Sequence, residues 1–366
     1  MITRMWRAYG VVRRTFGAWF SPLGTGVLFG ALRLVVWAGM AVDPLFFPKL
    51  RKTRLNRPIV IVGNPRTGTT FLQRFLSDNG VGGGSQLWQM VYPSLTAQKL
   101  LRPFLPLLEK VSPARHHSTA AHATSLTSVE TDDAALFLRF FDGFFLYGFI
   151  LAWDDTDWQG DFDPRNRDTS RRDFDFLEQL WLRVMVGNDS DRVIAKLFSV
   201  GTRMNDFLRR FPDARILYTV RDPVNVIPSA MSLVTGVLDK RFGFWSQPDE
   251  LRARYLERLY QALVKLFQRF YEDYTEGRIP RESVYVVSFD RLMADFERLM
   301  GEILEFVGVE PDERLTAAIR ERAARQRKFK SEHKYSLEQF GLDEERIRRD
   351  CAFVYETFLN DPPGES

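Results

Sequence analysis

The sequence predicts an α/β fold with a central, mainly parallel sheet flanked by helices in three layers, and three observations carry that expectation. Pro58-Ile59-Val60-Ile61-Val62 is a short β-branched run closed by Gly63, the pattern of a strand buried on both faces. A glycine-bearing turn follows it, and then Phe71, Leu72, Phe75 and Leu76 recur at helical spacing up to Gly80. The same strand-then-helix rhythm returns three times further along the chain.

The elements in order begin with a basic segment. Residues 1–57 hold ten Lys or Arg against Asp43 alone, a charge of +9; the whole chain is +4, so the remainder is −5. A slightly acidic body excludes a nucleic-acid groove spread over the protein, and no nucleic-acid partner is expected. Leu23 to Val42 is apolar except for Thr25 and Arg33, long enough to cross a bilayer. A charge near the centre of a span costs ~2.5–3.5 kcal/mol, and four glycines lower the helix propensity. Three readings stay open: a helix docked on a membrane surface, a helix packed on the body or on a partner subunit, and a true span. The expected division is therefore an N-terminal arm, 1–56, and one α/β domain, 57–366. The single cysteine, Cys351, excludes a disulfide framework and a multi-cysteine zinc site, so a reducing, cytoplasmic location with peripheral membrane contact through residues 1–57 is expected.

After the first strand and helix, residues 81–84 read as a flexible loop and 90–125 as loops with short helices. Residues 134–153 are unusually aromatic and read as a core helix or as an apolar acceptor surface. The acidic stretch 153–171 reads as a solvated loop. Strands are expected at 192–198, 215–220 and 283–289, with helices at 203–211, 223–235 and 291–307; Tyr255 to Tyr274 marks a long amphipathic helix.

Two motifs carry chemistry. Gly63-Asn64-Pro65-Arg66-Thr67-Gly68-Thr69-Thr70, between a buried strand and a helix, is a phosphate cradle of P-loop type: its glycines let the backbone wrap a tetrahedral anion, and the helix adds its positive end. No Lys follows Gly68, so the lysine of nucleotide kinases is absent and Arg66 is the cation placed to replace it. Some 150 residues on, Asp222 caps a helix opening with Pro223, which leaves Arg221 at a strand's carboxyl end and Ser229 two turns down. Arg and Ser together suit an isolated phosphate.

This pair of motifs resembles the sulfotransferase superfamily, in the Golgi-type and bacterial branch with a Pro-Arg-x-Gly-Thr-Thr loop. The resemblance implies 3′-phosphoadenosine 5′-phosphosulfate (PAPS) as donor, held on its 5′ side by Arg66, Thr67, Gly68, Thr69 and Thr70 and on its 3′ side by Arg221 and Ser229. It also implies in-line sulfuryl transfer without a required metal, Arg66 and Lys196 supplying the cations. The basic segment 325–334, with Lys330 and Lys334, is a further candidate for the 3′-phosphate, or else a solvated helix end. Ser336 with Gln339 reads as a capping box opening the last helix.

An acceptor hydroxyl needs a general base. Glu130, in an acidic cluster, stands where relatives carry one shortly after a histidine, and His122 lies eight residues before it; His116 and His117 are the other candidates. Relatives that place a histidine after the third-strand lysine differ from this chain, in which Lys196 leads to Gly201 with none. The acceptor is expected to be an amphipathic lipid, glycolipid or carbohydrate. The alternatives are a P-loop kinase or nucleotide hydrolase, and a non-catalytic membrane-associated protein on a degenerate scaffold. A homo-oligomer is compatible with all three.

Overall fold

The computed structural model describes residues 1–111, 124–326 and 337–359. The fold is α/β, with strands β1 (Ile59–Val62), β2 (Gly83–Gly84), β3 (Val193–Lys196), β4 (Arg215–Val220) and β5 (Val284–Ser288) in the order β2-β3-β1-β4-β5. β1 runs parallel to β3 and β4, and β4 parallel to β5. The backbone contacts divide the chain into two compact units: 1–55 with 83–193 and 234–259, and 56–82 with 194–233 and 260–366. The basic N-terminal segment shares a unit with two later stretches.

In the second unit, strand alternation sorts the core into layers. Ile59 and Ile61 of β1, with Ile194, Leu217 and Val287, face helices 69–78, 296–307 and 313–326, whose Leu72, Leu76, Met300, Ile303 and Ile319 are buried. Tyr218 points to the opposite face, stacked on Phe270 at a centroid distance of 3.5 Å with Phe358 beside it. The helix expected over 291–307 is broken at Asp295 (φ −133°, ψ 54°), giving helices 289–294 and 296–307. Just past the break, Phe296 packs edge-on against Phe75 at 5.0 Å.

In the first unit, helix 2–16 buries Ala8, Val11 and Val12. Its cations turn onto acidic partners: Arg4 to Asp142 (3.2 Å), Arg7 to Asp161 (2.8 Å) and Arg14 to Asp154 (2.7 Å). This corrects part of the expectation for residues 153–171: the stretch is a loop of short turns with Asp155, Asp157 and Asp168 exposed, but Asp154 and Asp163 are buried, and Asp154 and Asp161 are counter-charges of that helix. The aromatic segment is likewise two helices, 133–140 and 144–149, separated by positive φ at Phe141 (49°) and Gly143 (84°). The interruption turns Asp142 inward to Arg4, Arg167 and Arg172. Residues 83 and 84, expected as loop, form the edge strand β2, and the Gly83 N–H donates to the Arg192 carbonyl at 2.8 Å. A short turn at 338–340 precedes helix 344–350, which Asp343 caps through the Arg346 N–H.

Candidate functional site

The second unit gathers the two motifs at the carboxyl ends of adjacent parallel strands, where α/β sheets bind ligands. β1 runs into Gly63, β3 ends in Lys196 and β4 runs into Arg221. The loop between β1 and helix 69–78 is built so that backbone can close on an anion. Gly63 (φ 147°) has no room for a Cβ, which would lie 2.4 Å from both the carbonyl and the hydroxyl oxygen of Thr219. Gly68 (φ 91°) packs under Leu292 and Phe289, and a Cβ there would come to about 3 Å of both side chains. Helix 69–78 has Gly68 as its N-cap and so no capping side chain, which leaves its first-turn N–H groups to a ligand. These features fit a phosphate or sulfate group.

Side chains lock the loop from beneath. Thr67, fully buried, donates its hydroxyl to the Asn64 carbonyl (2.8 Å) and shares a hydrogen bond with the Thr219 hydroxyl (2.6 Å). Asn64 donates its amide to the Leu263 carbonyl at 2.9 Å. Above this layer Arg66 takes φ 79°, an uncommon region for a side-chain-bearing residue. Arg66 Nε donates to Ser229 Oγ at 2.9 Å, and Arg221 donates to the Arg66 carbonyl at 3.4 Å. Lys196, 2% exposed, donates from Nζ to Thr70 Oγ1 at 2.8 Å. The structure therefore brings Arg66, Thr67, Gly68, Thr69, Thr70, Lys196, Arg221 and Ser229 together in one unit.

Three neighbours escaped the sequence. Thr219 is a polar residue inside an apolar strand, and that mismatch was the available signal. Phe289 lies against the Arg221 guanidinium, 4.2 Å from Cζ to the ring centroid, a cation–π contact. Tyr355 donates its hydroxyl to Asp222, whose carboxylate also caps helix 223–242 through the Val224 N–H at 2.9 Å. Burial, then the bond and charge of Asp222, hold the Tyr355 phenol well above its ordinary range, so it stays a donor.

Glu130 belongs to the first unit. It is 6% exposed; its N–H donates to the Ser85 carbonyl (3.1 Å) and its carboxylate accepts from Ser128 Oγ (2.9 Å). Asp132 is fully buried and accepts from Ser85 Oγ (2.6 Å) and Trp181 Nε1 (3.1 Å). The cluster Glu130 to Asp133 is buried at the start of helix 133–140. His116, His117, His122, Lys330, Lys334 and Ser336 lie outside the described residues.

Residues 58–313 match the sequence pattern of the sulfotransferase family, and the chain belongs to that family. No curated protein matches it by sequence. Among solved structures it is similar in fold to sulfotransferase STF1 of Mycobacterium tuberculosis H37Rv, at TM-score 0.67 and 17% identity over 95% of this chain and 90% of that one. It is also similar to sulfotransferase STF9 of Mycobacterium avium, at TM-score 0.64 and 18% identity over 89% and 83% respectively.

Proposed function

We propose that this protein transfers a sulfuryl group from 3′-phosphoadenosine 5′-phosphosulfate to a hydroxyl of an amphipathic lipid, glycolipid or carbohydrate acceptor. The observation that carries the proposal is the joining of the two motifs, with Arg66 Nε on Ser229 Oγ at 2.9 Å. A loop that wraps one tetrahedral anion is thereby coupled to an Arg and a Ser suited to another, as a donor with two phosphate ends requires. The donor supplies an activated sulfur whose bond to the 5′-phosphate breaks as the bond to the acceptor oxygen forms. Arg66, Lys196 and the first-turn N–H groups of helix 69–78 neutralise charge that spreads over the transferring oxygens. Arg221 and Ser229 hold the 3′ side, with Phe289 packed against the Arg221 guanidinium.

The acceptor proton is assigned to Glu130, whose buried carboxylate is held by Ser128. An acceptor with an apolar portion is favoured by the row of half-buried rings Phe137, Phe141, Phe145 and Phe149, spaced 5.4 to 6.5 Å along the first unit. A cytoplasmic location is part of this proposal, since a chain with Cys351 alone has no internal disulfide to form. The direct test incubates the full chain with sulfur-labelled donor and a lipid or glycan extract. Label in a hydroxyl-bearing product is the expected result; no transfer to any fraction, with donor binding intact, overturns the assignment.

A further inference from the structure

Helix 21–46 presents apolar side chains to the outside. In a water-soluble protein the outward stripe of a helix is polar and the inward one apolar. Here Val27, Leu28, Ala31, Leu34, Val35 and Ala38, spaced three and four apart, are all exposed, Val27 to 75% and Leu34 to 70%. The two charged residues of the helix face the other way: Asp43 is fully buried and Arg33 is partly covered. The inward side is fastened to its own unit, with Val36 buried, Gly39 backed so closely onto Ser94 that a Cβ would lie 2.5 Å from its hydroxyl, and Asp43 paired with Arg183 at 2.7 Å.

The neighbouring helices continue the surface: Leu100, Phe104 and Leu107 of 95–111 are exposed to 57–69%. Exposed cations flank these segments in the chain: Arg51, Lys52 and Arg54 just past the helix, and Lys99, Arg102 and Lys110 on the adjoining segment. We infer that this face lies in the plane of an anionic lipid bilayer, the apolar stripe among the acyl chains and the cations at the headgroups. A second copy of the chain would set these cations against their own kind, whereas anionic lipid complements them. A span would need lipid or partner helices around the whole helix, and the Asp43 and Gly39 contacts hold one side to the soluble unit. The inference is independent of the reaction proposed above.

The test is co-sedimentation of the full chain with vesicles of phosphatidylcholine containing about one-third phosphatidylglycerol, and with phosphatidylcholine alone. The native protein is expected to pellet with the anionic vesicles, with a blue shift of tryptophan emission from Trp19 and Trp37. Leu28→Glu with Leu34→Glu alters only exposed positions, so unfolding should be unchanged while vesicle affinity falls at least about tenfold. Equal binding by that variant, or a native protein that stays in the supernatant with both vesicles, overturns the inference. So does a native dimer that the variant splits without any vesicle binding, which would assign the face to a second copy. Resistance of the bound protein to alkaline carbonate extraction would also overturn it, in favour of a span.

Discussion

Asp43→Ala offers a quantitative check on how the apolar helix is fastened. The Asp43 carboxylate is fully buried and accepts from Arg183 Nε (2.7 Å), Ser94 Oγ (2.9 Å), Leu95 N–H (3.1 Å) and Thr96 N–H (2.9 Å). Arg183 is buried too, and its remaining donors reach the Met40 and Gln179 carbonyls. Alanine leaves a desolvated guanidinium facing no counter-charge, which costs about 3–5 kcal/mol. Replacing both partners together, Asp43→Leu with Arg183→Leu, removes the stranded charge and should cost less than either single change. All eight tryptophans fall in the unit that contains this pair, so tryptophan emission during urea unfolding reports on it selectively. A loss under about 1 kcal/mol for Asp43→Ala would refute the reasoning. The pair also sets an acid limit. Burial alone would raise the Asp43 carboxyl, but the Arg183 bond and the Thr96 and Ser94 donors outweigh it and hold the group below its ordinary value of 3.8. A carboxyl depressed in the folded state contributes stability that is fully present above its unfolded value and is lost as pH falls through the folded one. Native unfolding midpoints should therefore drop below about pH 4, and the Asp43→Leu, Arg183→Leu protein should lose less over that interval.

Three further outcomes test the site. Arg221→Ala should weaken binding of 3′-phosphoadenosine 5′-phosphate about 10- to 100-fold in titration calorimetry, and Arg221→Lys should restore it only in part, since a lysine lacks the planar fork of donors. Glu130→Gln should lower turnover about 10²- to 10⁴-fold with donor affinity unchanged; near-normal turnover removes Glu130 from the mechanism. Gly63→Ala should destabilise the second unit by about 1–3 kcal/mol and abolish donor binding, because the new methyl meets Thr219; circular-dichroism melting with a binding assay separates the two effects.

What the sequence made legible follows from local physics. Runs such as Ile59–Val62 and Ile216–Val220 are buried on both faces, so composition alone marks them as central strands. The Gly63–Thr70 loop and the Arg221–Ser229 motif were readable because backbone geometry and cation placement are written in consecutive residues. The missed features depend on partners remote in sequence. Phe141 leaves the helix because Asp142 has arginines to meet at positions 4, 167 and 172. The acidic stretch looked solvated because its counter-charges, Arg7 and Arg14, lie some 140–154 residues away. Gly83–Gly84 has no strand-forming side chain and is a strand only because Arg192 offers a carbonyl. Helix 21–46 was legible as apolar, but its orientation was not; that is set by Asp43 finding Arg183 140 residues on.

The central claim is that the joined motifs hold a nucleotide with phosphate at both ends. Calorimetric titration of the full chain with 3′-phosphoadenosine 5′-phosphate and, separately, with ATP and magnesium tests it most directly. Binding of the former that depends on Arg221 is the expected result; binding of ATP with none of the 3′-phosphorylated nucleotide would contradict it.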